Sequence, residues 1–120
     1  SPAAKKEEEE RQLAEVDEMI EAVALRMKQK FGSLKQAFAI FARDGRGSGG
    51  RQREDAAIDF QAWMKGLTAL RMKQLRHEMV VEIFKRIDAD GQGRIHAQQI
   101  EEHVRMIAKL RVIQARGAVE

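Results

Sequence analysis

Residues 88–99 read DADGQGRIHAQQ, a stretch that sets oxygen-bearing groups at alternate positions around a glycine. Counted from Asp88 as the first, Asp90 falls third, Gln92 fifth, Arg94 seventh and Gln99 twelfth, with Gly93 at six. Carboxylates, amide oxygens and a backbone carbonyl, here that of Arg94, are what hard divalent cations take as ligands. Gly93 gives the sharp turn that lets a short loop wrap one ion. Asp88 and Asp90 bring negative charge, whereas Gln92 and Gln99 put neutral amides where a cation rewards carboxylates. The spacing therefore makes this a candidate site for calcium or magnesium of weak affinity at most, with a dissociation constant no tighter than about the millimolar range if an ion binds at all. The favoured reading is a turn without metal, in which Asp88 accepts backbone N–H bonds while Gly91 and Gly93 take the bend.

Other chemistry is thinly supported. His96 lies seven residues before His103, and no histidine pair, His77 included, has the i, i+4 spacing that brings two imidazoles to one ion. His96 is better read as a surface residue. The Gly-rich run GRGSGG at 45–50 lacks the Lys and Ser or Thr that complete a phosphate-binding loop. The chain has no Cys, which removes disulfides, thiol catalysis and thiolate zinc sites. With no nucleophile–base order in a plausible turn either, the expectation is a protein that is not an enzyme.

The elements that must hold the 88–99 loop are helical. In 120 residues there are one Pro and no Tyr, and Ala, Leu, Met, Lys, Arg, Glu and Gln dominate, which points to an all-α fold of one domain. Between Lys5 and Lys30 apolar residues recur at Leu13, Val16, Ile20, Val23 and Met27, the stripe of an amphipathic helix. That stripe is read as packing on its own domain; a heptad seam for dimerisation or partner docking is the sharper alternative. The first dozen residues, with the run Glu7 to Glu10, either extend the helix or fray. Ser33 is placed to cap a helix from Leu34 to about Ala42. RDGRGSGGRQRED forms a loop, Ile58 a short strand-like step, and Trp63, Met64, Leu67 and Leu70 the apolar side of the next helix. Further helices are predicted from about His77 to Ile87 and from Ala97 to about Arg116.

An internal repeat orders these pieces. Phe38, Asp44, Gly45 and Gly47 find counterparts forty-six residues later in Phe84, Asp90, Gly91 and Gly93, and ALRMKQ occurs at both 24–29 and 69–74. Two copies of one helix-loop-helix are implied. Phe84 and Ile87 before the loop, Ile95 within it and Ile100 after it occupy the apolar positions of an EF-hand, and Phe38, Phe41, Ile58 and Trp63 repeat that pattern. On these residues, 31–110 resembles a paired EF-hand domain of the calmodulin superfamily. The resemblance implies that the two loops pair antiparallel through Ile58 and Ile95. It also implies four helices closing on a core of Phe38, Phe41, Trp63, Leu67, Met79, Ile83, Phe84, Ile100, Val104 and Ile107. The six Met are read as core filling, with an adaptable groove as the alternative.

The first loop departs from the family. Twenty-one residues lie between Ala42 and Ala62, inclusive, where twelve are expected. The two alanines fall where the first and last ligands belong, and Arg43, Arg46, Arg51 and Arg53 oppose a cation near Asp44, Asp55 and Asp59. The inserted segment is a basic finger suited to an acidic surface. The expected layout is a charged helical extension at 1–30, an EF-hand-like pair at 31–116 (units 31–68 and 75–110), and a tail at 117–120. The function implied is an interaction or structural subunit with weak calcium binding or none; the alternative is a calcium-responsive sensor working through Asp88, Asp90, Gln92, Arg94 and Gln99. The partner expected is another protein or a larger assembly, bound through helical faces. A net charge of +3 with acids and bases interspersed and few aromatics disfavours nucleic acid, and no apolar run is long enough to span a membrane.

Overall fold

A computed structural model describes residues 1–44 and 56–117. Helix α1 runs Pro2–Phe31, with Pro near its start, where the missing N–H costs nothing. It ends at Gly32, whose φ of 95° a side chain would resist and whose N–H donates to the Lys28 carbonyl at 2.8 Å. Helix α2, Leu34–Asp44, starts where expected: the Ser33 hydroxyl accepts the Gln36 N–H at 3.1 Å. Strand β1, Ala57–Asp59, leads directly into α3, Phe60–Ala69. Asp59 caps α3 by accepting the Ala62 N–H at 2.9 Å. Helix α4, His77–Ile87, the 88–99 loop with strand β2, Arg94–His96, and helix α5, Ala97–Gly117, complete the chain.

Most of the molecule is thus helical, with one small antiparallel sheet in which β1 pairs with β2 and Ile58 stands opposite Ile95. Both isoleucines are buried, so the pairing is pinned by apolar burial on one face as well as by the ladder. The core gathers Phe38, Trp63, Leu67, Ile83 and Ile100 from four helices around that sheet. Trp63 is fully enclosed, and its ring N–H donates to the Val80 carbonyl at 3.1 Å, which satisfies the polar edge and ties α3 to α4. Met79 and Val104, expected inside, are half-buried and pack on the core from its margin. Among the methionines Met27 is buried, Met19, Met64, Met72 and Met79 line the core, and Met106 is exposed.

Helix α1 belongs to this core along its second half. Val16, Ile20, Val23, Ala24 and Met27 are buried, and the helix packs against α2, α4 and α5. Leu13, expected on the same buried stripe, is 44 % exposed, and every residue from Ser1 to Glu15 lies at the surface. The reason is reach: the helix overshoots the body, so the stripe continues past anything it could pack against. The helix nevertheless begins at Pro2, which answers whether the first dozen residues extend it.

Candidate functional site

The 88–99 loop is built by the end of α4. The Asp88 N–H closes that helix on the Phe84 carbonyl at 2.8 Å, and the Gly91 N–H turns back to the Asp88 carbonyl at 3.0 Å. Gly91 at φ 69° and Gly93 at φ 81° lie in the left-handed region, so the bend depends on residues without a Cβ. Inside it each oxygen of the Asp88 carboxylate accepts one backbone N–H. One oxygen accepts the Gln92 N–H at 3.0 Å and the other the Gly93 N–H at 2.9 Å. Asp88 thus accepts backbone N–H groups across the bend, as expected of it.

Gln99 closes the loop from the far side. Its side-chain oxygen accepts the His96 N–H at 2.7 Å, the return bond of a capping box at the start of α5. Its side-chain N–H donates to the Ile87 carbonyl at 3.4 Å, the last residue of α4. One neutral amide therefore bridges the end of the incoming helix and the start of the outgoing one, and only an amide can serve both. A carboxylate has no proton for Ile87.

Of the five sequence-predicted ligands, the structure engages Asp88 and Gln99 with backbone and leaves Asp90, Gln92 and Arg94 exposed. A cation entering the loop would share the oxygens of Asp88 and Gln99 with three backbone N–H groups, those of Gln92, Gly93 and His96. Among the described residues no three His, Asp or Glu side chains converge as a metal-binding group. Near the first loop, Asp59 serves as the α3 cap, and Ala62 is buried. The side chain of Asp44, and Arg46, Arg51, Arg53 and Asp55 with the basic finger, lie outside the described residues.

A polar cluster that sequence reasoning did not anticipate clasps α1 to the same unit. Arg86 of α4 donates to Asp17 through Nε at 3.2 Å and Nη2 at 3.4 Å, and Nε2 of His103 on α5 meets Asp17 Oδ1 at 2.8 Å. Burial pushes the Asp17 carboxyl up, but hydrogen bonds from Arg86 and His103, reinforced by their charge, prevail and hold it below the ordinary 3.8. Further along, Arg111 of α5 pairs with Glu21, with Nη1 at 3.0 Å from one carboxylate oxygen. These partners are 69 to 90 residues apart in sequence, so no local pattern announces them. The one legible hint is that Asp17 and Glu21 share a helix face beside the apolar stripe.

Compared with protein-family models, with curated proteins and with solved structures, the chain matches none. What defines it is its own geometry: two helix–strand–helix units joined by one strand pair, with a fifth helix laid across them. Among the described residues no helix is long and apolar enough to cross a membrane.

Proposed function

We propose that this chain is a non-catalytic, EF-hand-like interaction module whose second loop holds its shape by internal hydrogen bonds rather than by an ion. The observation that carries the reading is the Gln99 bridge between His96 and Ile87, the place where a cation-dependent loop would need a charged bidentate ligand. The repeat of Phe38 and Phe84 before the loops and the Ile58–Ile95 pairing support the EF-hand resemblance. A loop already closed has no closing step for calcium to drive, so the module presents the same helical faces to a partner at all calcium levels.

The test is thermal unfolding in chelator and in millimolar calcium, for the parent chain and for Gln99→Glu. The parent is expected to melt at the same temperature in both. The variant, which loses the donor to Ile87 and gains a carboxylate, should melt lower in chelator and recover with calcium. A parent protein that is stabilised by micromolar calcium would instead favour a sensor working through Asp88, Asp90, Gln92, Arg94 and Gln99, and the present reading would fall.

A further inference from the structure

Charge is divided between the two long helices. Residues 7–25 hold eight carboxylates against one cation, whereas residues 103–117 hold four cations and no carboxylate. On α1 the acids border a groove. It runs along the seam with α4, has Leu13, Met19 and Met79 in its lining, and is edged by Glu15, Glu18 and Glu82, with Arg76 at one end. Acid-rimmed and apolar within, such a groove suits a basic amphipathic helix.

The last turns of α5 make such a helix. Every residue from Ala108 to Gly117 is exposed. Met106, Leu110 and Ile113, at steps of four and three, form one apolar stripe that is 41 %, 47 % and 64 % exposed. Arg105, Lys109 and Arg116 line up beside it at helical spacing. Beyond Ile107, the last buried residue, ten residues project about 15 Å at 1.5 Å each, which fits a groove reaching from Glu9 to Ala22, about 20 Å along α1. The tail has no access to its own groove. Contacts through Asp17 and Glu21 fix α5 to one flank of α1, and Glu15, Glu18 and Ala22 face the other.

We infer that the chain self-associates by placing the exposed end of α5 from one copy into the acidic α1–α4 groove of a second. One inserted helix end is small against the about 1,200 Å² that stable contacts bury, so the exchange is reciprocal about a two-fold axis and doubles the area. Apolar insertion supplies the affinity, and the charge rim sets the partner and the direction. This inference stands apart from the EF-hand reading, since it uses neither loop.

The experiment is light scattering after size exclusion on the full chain and on two charge-reversed variants, Arg105→Glu with Lys109→Glu, and Glu15→Lys with Glu18→Lys. All four positions are exposed, and far-ultraviolet circular dichroism checks that the fold is kept. The parent should show twice the 13.7 kDa chain mass at low salt and fall toward one chain at high salt. Each variant alone should be a single chain, and the two mixed should restore the doubled mass, because each reversed tail then meets a reversed groove. A parent that stays a single chain at concentrations up to about 100 µM, well above micromolar dissociation constants, would overturn the inference. So would variants that dimerise alone or do not recombine. Single-chain parent protein that binds anionic vesicles would reassign the α5 end to a lipid surface and overturn it as well.

Discussion

At the scale of single residues, Gln99 and Gly66 fulfil roles that no other side chain could. Gln99 uses one end of its amide as acceptor for His96 and the other as donor to Ile87, so Gln99→Ala should remove both and destabilise the fold by about 1–2 kcal/mol in urea unfolding. A loss near zero would mean that water serves as well as the amide. Gly66, in the middle of α3, lies where an added Cβ would come within 2.5 Å of the Phe41 ring, itself only 4 % exposed. Gly66→Ala is therefore expected to cost about 1–3 kcal/mol despite the better helix propensity of alanine, read from the same denaturant curves. Asp88 was legible because aspartate before two glycines has a known use in a tight turn. Gly66 was not, because its reason is a ring from another helix and leaves no local trace.

At the scale of elements, the helix ends were readable where capping chemistry is local, and the depth of packing was not. Ser33 marks the start of α2 as expected, and α4 runs His77–Ile87 as its apolar period and the following aspartate–glycine turn imply. For α1 the period gave the correct face but not its limit: Leu13 and Val16 look alike in sequence, and only the extent of the body beneath them separates the exposed from the buried. Asp17 ties α1 to both α4 and α5. Its carboxyl is held below 3.8 by Arg86 and His103, so folding favours the ionised form; the stabilisation is present above that value and is lost as pH falls through the lower folded one. Asp17→Asn should cost about 1–2 kcal/mol at neutral pH and flatten the acid limb of the stability profile below pH 3.8. If the acid limbs of parent and variant coincide, the clasp contributes nothing.

At the scale of the whole molecule, the protein measures 54 × 30 × 29 Å because the ends of α1 and α5 outrun a core shared by both helix–strand–helix units and by the second half of α1. The repeat from Phe38 to Phe84 announced two similar units, and the family resemblance set Ile58 against Ile95 between them. It could not announce a helix laid across both, since that packing is tertiary and leaves only an amphipathic stripe open to several partners. The candidate loop was legible as ligand spacing, whereas the two bonds that engage the Gln99 amide depend on Ile87 and His96 being brought to it by the fold. The central claim is that this loop is closed without an ion, and the Gly93 amide, bonded to Asp88 at 2.9 Å, reports on it directly. A two-dimensional amide spectrum should be recorded as calcium is added over a magnesium background. The account predicts a dispersed spectrum in which the Gly93 signal stays in place through micromolar calcium. A saturable downfield shift of that signal at micromolar calcium, with core methyl signals moving in step, would contradict it.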